Sequence, residues 1–97
     1  VTTYLVGRHE GAREWFARHD VRGDEIHEHF DVGLVKPGDT VVGTLPINLV
    51  AEVCGRGGRY VHLSMRVPAE FRGRELTSEQ LDEFGAKLEG FVVERVV

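Results

Sequence analysis

Apolar and polar positions along this chain follow two rhythms, and the switches between them mark its elements. Thr2 to Val6 is a short β-branched and aromatic run that stops at Gly7, which predicts a first strand. From Glu10 to about His19 the period lengthens. Ala12, Trp15, Phe16 and His19 recur at helical spacing, with Glu10 and Glu14 at the helix start and Arg18 near its end, where each suits the helix dipole. "DEIHEHF", Asp24 to Phe30, returns to a period of two, with Ile26, Glu28 and Phe30 set against Glu25, His27 and His29. It predicts a second strand. "KPGD", Lys36 to Asp39, is a turn, and the wholly apolar "TVVG" that follows, Thr40 to Gly43, suits the middle of a parallel sheet.

Pro46 fits the first turn of a second helix, whose buried stripe is Leu49, Val50, Val53 and Cys54 and whose stop is Gly55. Arg59 to Met65 predicts a fourth strand. Thr77-Ser-Glu-Gln80 matches a capping box, with Leu81, Phe84, Gly85 and Leu88 on one face of a third helix. The tail "FVVERVV", Phe91 to Val97, reads as a last strand by composition. This order of strands and helices implies an α/β three-layer sandwich with a mostly parallel sheet. No repeat or shift in composition divides the chain, so residues 1–97 are expected to form a single domain.

Composition narrows the function classes. Hydrophobic residues make up 41% and charged residues 29%, which supports a packed globule rather than a disordered chain. A net charge of −4 counts against a long duplex nucleic acid as partner, yet it leaves room for a compact anion in one focused pocket. No stretch approaches the roughly 20 apolar residues of a membrane span. No basic-then-apolar leader opens the chain, and a Val1 start is expected to be a trimmed one. The lone Cys54 forms no internal disulfide, so a cytoplasmic setting is expected. A core this small gains from a second copy, so a homodimer is expected as well.

In parallel sheets ligands bind outside the carboxyl ends of the strands. That rule selects Gly7, Arg8 and His9 after the first strand, Thr44 and Leu45 after the third, and Ser64 and Arg66 at the end of the fourth. Two helix starts, at Glu10-Gly11 and Pro46-Ile47-Asn48, open onto the same rim with unpaired N–H groups. Cations, hydroxyls, an imidazole and helix ends together suit phosphate groups. Plainer roles compete: solvated surface charges for Arg8 and Arg66, a helix cap for His9, turn formation for Thr44 and Ser64. In "FRGREL", Phe71 to Leu76, Arg72 and Arg74 either reach the pocket or a partner subunit, or form a solvated loop paired with Glu70 or Glu75. "CGRGGRY", Cys54 to Tyr60, follows a helix and precedes a strand, which puts it at the opposite end of the sheet. His27 and His29 share a predicted strand face that His62 or Asp20 could join, but no zinc motif is present and no metal is expected.

"GRHEGAREW", "PGDTVVGTLPINLVAEVCGRGGRYVHLSM" and "FRGRELTSEQL" together resemble a small CRISPR-associated Csx family that includes stand-alone ring nucleases of type III systems. The family pattern has Ser and Pro beside Arg-His, where this chain has Gly7 and Glu10. The resemblance implies a Rossmann-like, CARF-like fold acting as a dimer, with cyclic oligoadenylate, above all cyclic tetra-adenylate, as substrate. It also implies metal-independent cleavage by the ribose 2′-OH, giving linear oligoadenylates ending in 2′,3′-cyclic phosphate and switching off type III CRISPR signalling. No cofactor is called for. On that footing Arg8 and Arg66 would stabilise charge on phosphorus and His9 would move a proton, while Gly7, Gly11, Thr44, Leu45, Pro46, Asn48, Ser64, Arg72 and Arg74 would bind the ring. Two other classes stay open: a sensor or sponge that binds the cyclic nucleotide without cutting it, and an antitoxin-like protein whose rim binds another protein.

Overall fold

A computed structural model describes residues 1–97. Five strands form one sheet in the order β2-β1-β3-β4-β5, with β1 at Thr3–Val6, β2 at Glu25–His27, β3 at Thr40–Gly43, β4 at Arg59–Ser64 and β5 at Lys87–Phe91. The first four are mutually parallel and β5 runs antiparallel beside β4. Helices α1 (Glu10–Arg18) and α2 (Ile47–Gly55) are the crossovers that parallel neighbours require, while α3 (Ser78–Glu83) precedes the reversed strand.

The period of two along the strands sorts the core into two layers. Tyr4, Val6, Val41 and Tyr60 face Val50 and Val53 of α2, joined by Val32 and Val35 from the β2–β3 connection. Leu5, Val42 and Leu63 face the other way, onto Trp15 and Phe16 of α1 and Leu81 of α3. The result is the expected α/β three-layer sandwich with a mostly parallel sheet, compatible with a Rossmann-like arrangement. Phe16 and Leu63 are each 2% exposed, and burying such side chains contributes about 1.5–3 kcal/mol apiece. No helix is long and apolar enough to cross a membrane.

Several elements differ from expectation. The second strand is only Glu25–His27; Phe30 leaves the ladder to stack near Tyr4, 4.9 Å between ring centres. Pro46 stands at the N-cap of α2, one position before the first helical residue. The capping box forms, with Thr77 Oγ1 accepting from Gln80 N–H and Gln80 Oε1 accepting from Thr77 N–H. Yet α3 stops at Glu83, because Gly85 takes a left-handed φ of 75° that turns the chain out of the helix. Leu88 therefore belongs to β5, not to a helical face, and the residues after Phe91 carry no regular structure. The "CGRGGRY" turn lies at the amino end of the strands as expected: Gly57 O accepts from Gly38 N–H at 3.0 Å, in the turn that leads into β3.

Candidate functional site

The carboxyl rim of the sheet begins where β1 ends. Gly7 N–H continues the ladder to His27 O at 2.9 Å, and Gly7 O is then capped by the Arg13 guanidinium at 2.7 Å. Arg13 also lies 3.5 Å from Glu28, just past β2. Arg8 and His9 follow, both exposed, and His9 occupies the N-cap position of α1 in extended conformation. Its side chain makes no capping bond. Instead His9 Nδ1 lies 2.7 Å from Glu75 Oε1. The N–H groups of Glu10 and Gly11 find no acceptor in the chain, as expected for a helix start without a side-chain cap.

Glu75 reaches this junction because its loop is pressed against α1. A Cβ on Gly11 would sit 2.0 Å from Leu76 O, so only glycine permits that approach. Between loop and junction lies a hollow of about 390 Å³ whose walls include Arg8, His9, Gly11, Glu10, Glu14 and Glu75. Beside it, with Leu76 on the shared wall, lies a second hollow of about 340 Å³ that holds Arg72 and Arg74. Arg74 stands over the Phe71 ring at 5.6 Å, a cation–π contact, and Phe71 packs on Phe84 at 5.2 Å.

A clamp between helices keeps that loop in place. Asp82 of α3 accepts from Trp15 Nε1 at 2.9 Å, His19 Nε2 at 2.7 Å and Arg18 at 2.9 Å, and Arg18 also donates to the buried Ser78 hydroxyl at 2.8 Å. Desolvation pushes the Asp82 carboxyl up, but the hydrogen bonds from Trp15, His19 and Arg18 outweigh it and hold the group below the usual carboxylate value.

The second junction, between β3 and α2, is built from one hydroxyl. Tyr60 OH donates to Gly43 O at 3.0 Å and accepts from Leu45 N–H at 2.9 Å. With its single proton committed, its 2.7 Å contact to His62 Nδ1 has the ring N–H donating. Burial raises the Tyr60 pKa, partly offset by the Leu45 N–H. Thr44, Pro46 and Asn48 are exposed around this anchor, Ile47 and Asn48 N–H are unpaired, and Leu45 lines an apolar slot of about 220 Å³ with Ile47, Val50 and Phe91.

The structure thus joins Arg8, His9 and Gly11 in one hollow, with Gly7 held behind them by Arg13, and sets Arg72 and Arg74 next door. Thr44, Leu45, Pro46 and Asn48 share the neighbouring junction. Ser64 is half-buried opposite Lys87, and Arg66 is exposed, its N–H bound to Phe84 O; neither lines the two hollows. Glu75 pairs with His9, not with Arg72 or Arg74. The histidines singled out for a metal lie apart: His27 pairs with Glu25 at 2.9 Å, His62 binds Tyr60, and Asp20 pairs with Arg22. Arg13, Glu75, Glu14 and Tyr60 were not among the site residues expected from sequence. The carboxylates matter most, since Glu10, Glu14 and Glu75 outnumber the single guanidinium of Arg8 on the walls of the first hollow.

Against known proteins, residues 4–94 match the family described as "Putative CRISPR-associated protein (Cas_VVA1548)". No curated protein and no solved structure matches the chain. Because the match spans nearly all 97 residues, the chain belongs to that CRISPR-associated family.

Proposed function

We propose that this CRISPR-associated protein is a ring nuclease that opens cyclic tetra-adenylate, without a metal, and so ends type III CRISPR signalling. The observation that carries the reading is the β1–α1 junction, where Arg8, His9 and the residues of two unpaired backbone N–H groups line one hollow at the carboxyl rim, beside the carboxylates of Glu10, Glu14 and Glu75. The guanidinium, the imidazole and the N–H groups are those that in-line transfer at a phosphodiester needs.

In the reaction the ribose 2′ oxygen forms a bond to the adjacent phosphorus, and the bond from phosphorus to the next 5′ oxygen breaks. The 2′-OH proton passes to His9, and the departing 5′ oxygen takes a proton from solvent. A 2′,3′-cyclic phosphate and a 5′-OH remain, so no external nucleophile is consumed. Arg8 and the N–H groups of Glu10 and Gly11 would stabilise charge on the non-bridging oxygens. Arg72 and Arg74 would hold neighbouring phosphates, and Thr44, Leu45, Pro46 and Asn48 would orient the ring. A homodimer would bring two such rims to a symmetric ligand.

Cyclic tetra-adenylate incubated with the protein in excess chelator is expected to give linear products ending in 2′,3′-cyclic phosphate. His9→Ala should lower turnover by about 10²–10⁴-fold with little change in affinity. Equal turnover would remove His9 from the chemistry. Because Arg66 lies outside the hollow and leaves Arg8 as its lone guanidinium, a binding-only sponge is the second reading. Tight binding with no product would establish the sponge; no binding at all would overturn both.

A further inference from the structure

We infer that Glu75 is a positioning residue for His9: its carboxylate takes the Nδ1–H and thereby fixes the imidazole in the one tautomer that can accept a proton at Nε2. The inference rests on the ring-nuclease reading for its catalytic meaning, but the structural part stands on its own geometry.

The 2.7 Å separation between His9 Nδ1 and Glu75 Oε1 is that of a hydrogen bond to an ionised acceptor. A carboxylate only accepts, so the ring nitrogen must carry the hydrogen. In the neutral ring that leaves Nε2 with its lone pair, and Nε2 meets no other protein atom at hydrogen-bond distance. Of the three carboxylates around the hollow, Glu75 alone pairs with His9; Glu10 and Glu14 do not. Free imidazole exchanges between its two tautomers, and the one with hydrogen on Nε2 cannot take a proton there.

The surroundings show why this carboxylate arrives from so far along the chain. Glu75 sits one residue before Leu76, whose carbonyl oxygen lies against Gly11, and two before Thr77, which caps helix α3. Both anchors fix the loop backbone beside the His9 ring, since Gly11 is in the first turn of the helix that His9 opens. The two side chains themselves are exposed, 59% for His9 and 72% for Glu75. An exposed pair contributes little to stability, so removing it should disturb orientation and leave the fold intact.

In the cleavage step, Nε2 takes the proton of the attacking 2′-OH as the bond to phosphorus forms, and the charge that appears on the ring is shared with Glu75 across the Nδ1–H bond. The proton later returns to solvent. Glu75 touches no reacting atom and works through His9.

Two readouts separate this inference from the reading beneath it. In protein labelled with ¹⁵N at histidine, the His9 ring, identified by its loss in His9→Ala, is expected to show the Nδ1–H tautomer and to become a mixture in Glu75→Gln. With cyclic tetra-adenylate, Glu75→Gln should lower kcat by about 10–100-fold, part of the range open to general-base help, with KM within about twofold and recovery in Glu75→Asp. A His9 tautomer that is the same in the wild type and in Glu75→Gln overturns the inference, as does a Glu75→Gln enzyme that cleaves at the wild-type rate. If the wild type cleaves nothing while the tautomer shifts as expected, the nuclease reading falls and the grip of Glu75 on His9 stands.

Discussion

The two strand-to-helix junctions on the carboxyl rim solve the same problem with opposite materials. At β3–α2, a single buried neighbour, Tyr60, satisfies Gly43 O and Leu45 N–H from inside the core. At β1–α1, the turn is held from outside by a long polar side chain and by loop backbone, Arg13 on Gly7 O and Leu76 O against Gly11, while Glu75 only orients His9. One junction is closed from within by a single hydroxyl and presents no charged side chain among Thr44 to Asn48. The other leaves a cation and an imidazole in solvent, supported at a distance by the Asp82 clamp. The proposed chemistry fits the β1–α1 junction better, because the Arg8 and His9 side chains there are exposed and hold no part of the turn, while Arg13 and the loop backbone do.

The largest expected effect comes from breaking the outside support. Gly11→Ala would gain up to about 1 kcal/mol of helix propensity, but its Cβ would meet Leu76 O at 2.0 Å, and overpacking of that kind costs about 3 kcal/mol. Urea unfolding should show a net loss, and the proposed cleavage should fall as the loop moves away. Gly55→Ala, at the end of α2 with nothing within 4 Å, should be neutral or stabilising by up to about 1 kcal/mol. A Gly11→Ala protein as stable as wild type would refute the tight docking of the loop.

Tyr60→Phe comes next. It strands Leu45 N–H and Gly43 O and should cost about 1–2 kcal/mol by denaturant titration. Amide exchange should quicken at Leu45 and leave the β1–α1 turn unchanged. Quickening at both would mean that the junctions are coupled.

The smallest effect is in acid. The Asp82 carboxyl is held below 3.8 in the folded protein, so its contribution is present above that value and is lost as pH falls through the lower folded value. Asp39, 3% exposed, is lowered likewise, chiefly by the Lys36 N–H and then the Thr2 N–H, with burial opposing them. Both make the protein less stable in strong acid. Asp82→Asn should remove only the part of this acid loss that belongs to the α1–α3 clamp, seen as a melting temperature less dependent on pH. An unchanged dependence would place the acid sensitivity elsewhere.

The fold was legible wherever an element carries its own pattern. The runs Thr2 to Val6, Thr40 to Gly43 and Arg59 to Met65 announce strands, and Thr77-Ser-Glu-Gln80 announces a helix start, because each signal is local. The end of α3 was not: Leu81, Phe84 and Leu88 keep helical spacing, yet the left-handed turn at Gly85 overrides the period. Nor were the place and direction of β5: composition points to Phe91 to Val97, but the strand is Lys87–Phe91, set by its antiparallel pairing with β4 after the Gly85 turn. At the site, the rim rule found Arg8 and His9, which follow directly from a strand end. It could not find Glu75, which is 66 positions from His9 in sequence and meets it only through the docking of Leu76 on Gly11.

The reversal of β5 has a practical side. β1 starts beside Thr40, and β5 ends at Phe91 beside Tyr60, so both lead-ins to the chain's extremities emerge from the pole opposite Arg8 and His9. A fluorescent label on the residues that lead into β1 or out of β5 therefore stands clear of the charged mouth at Arg8 and His9.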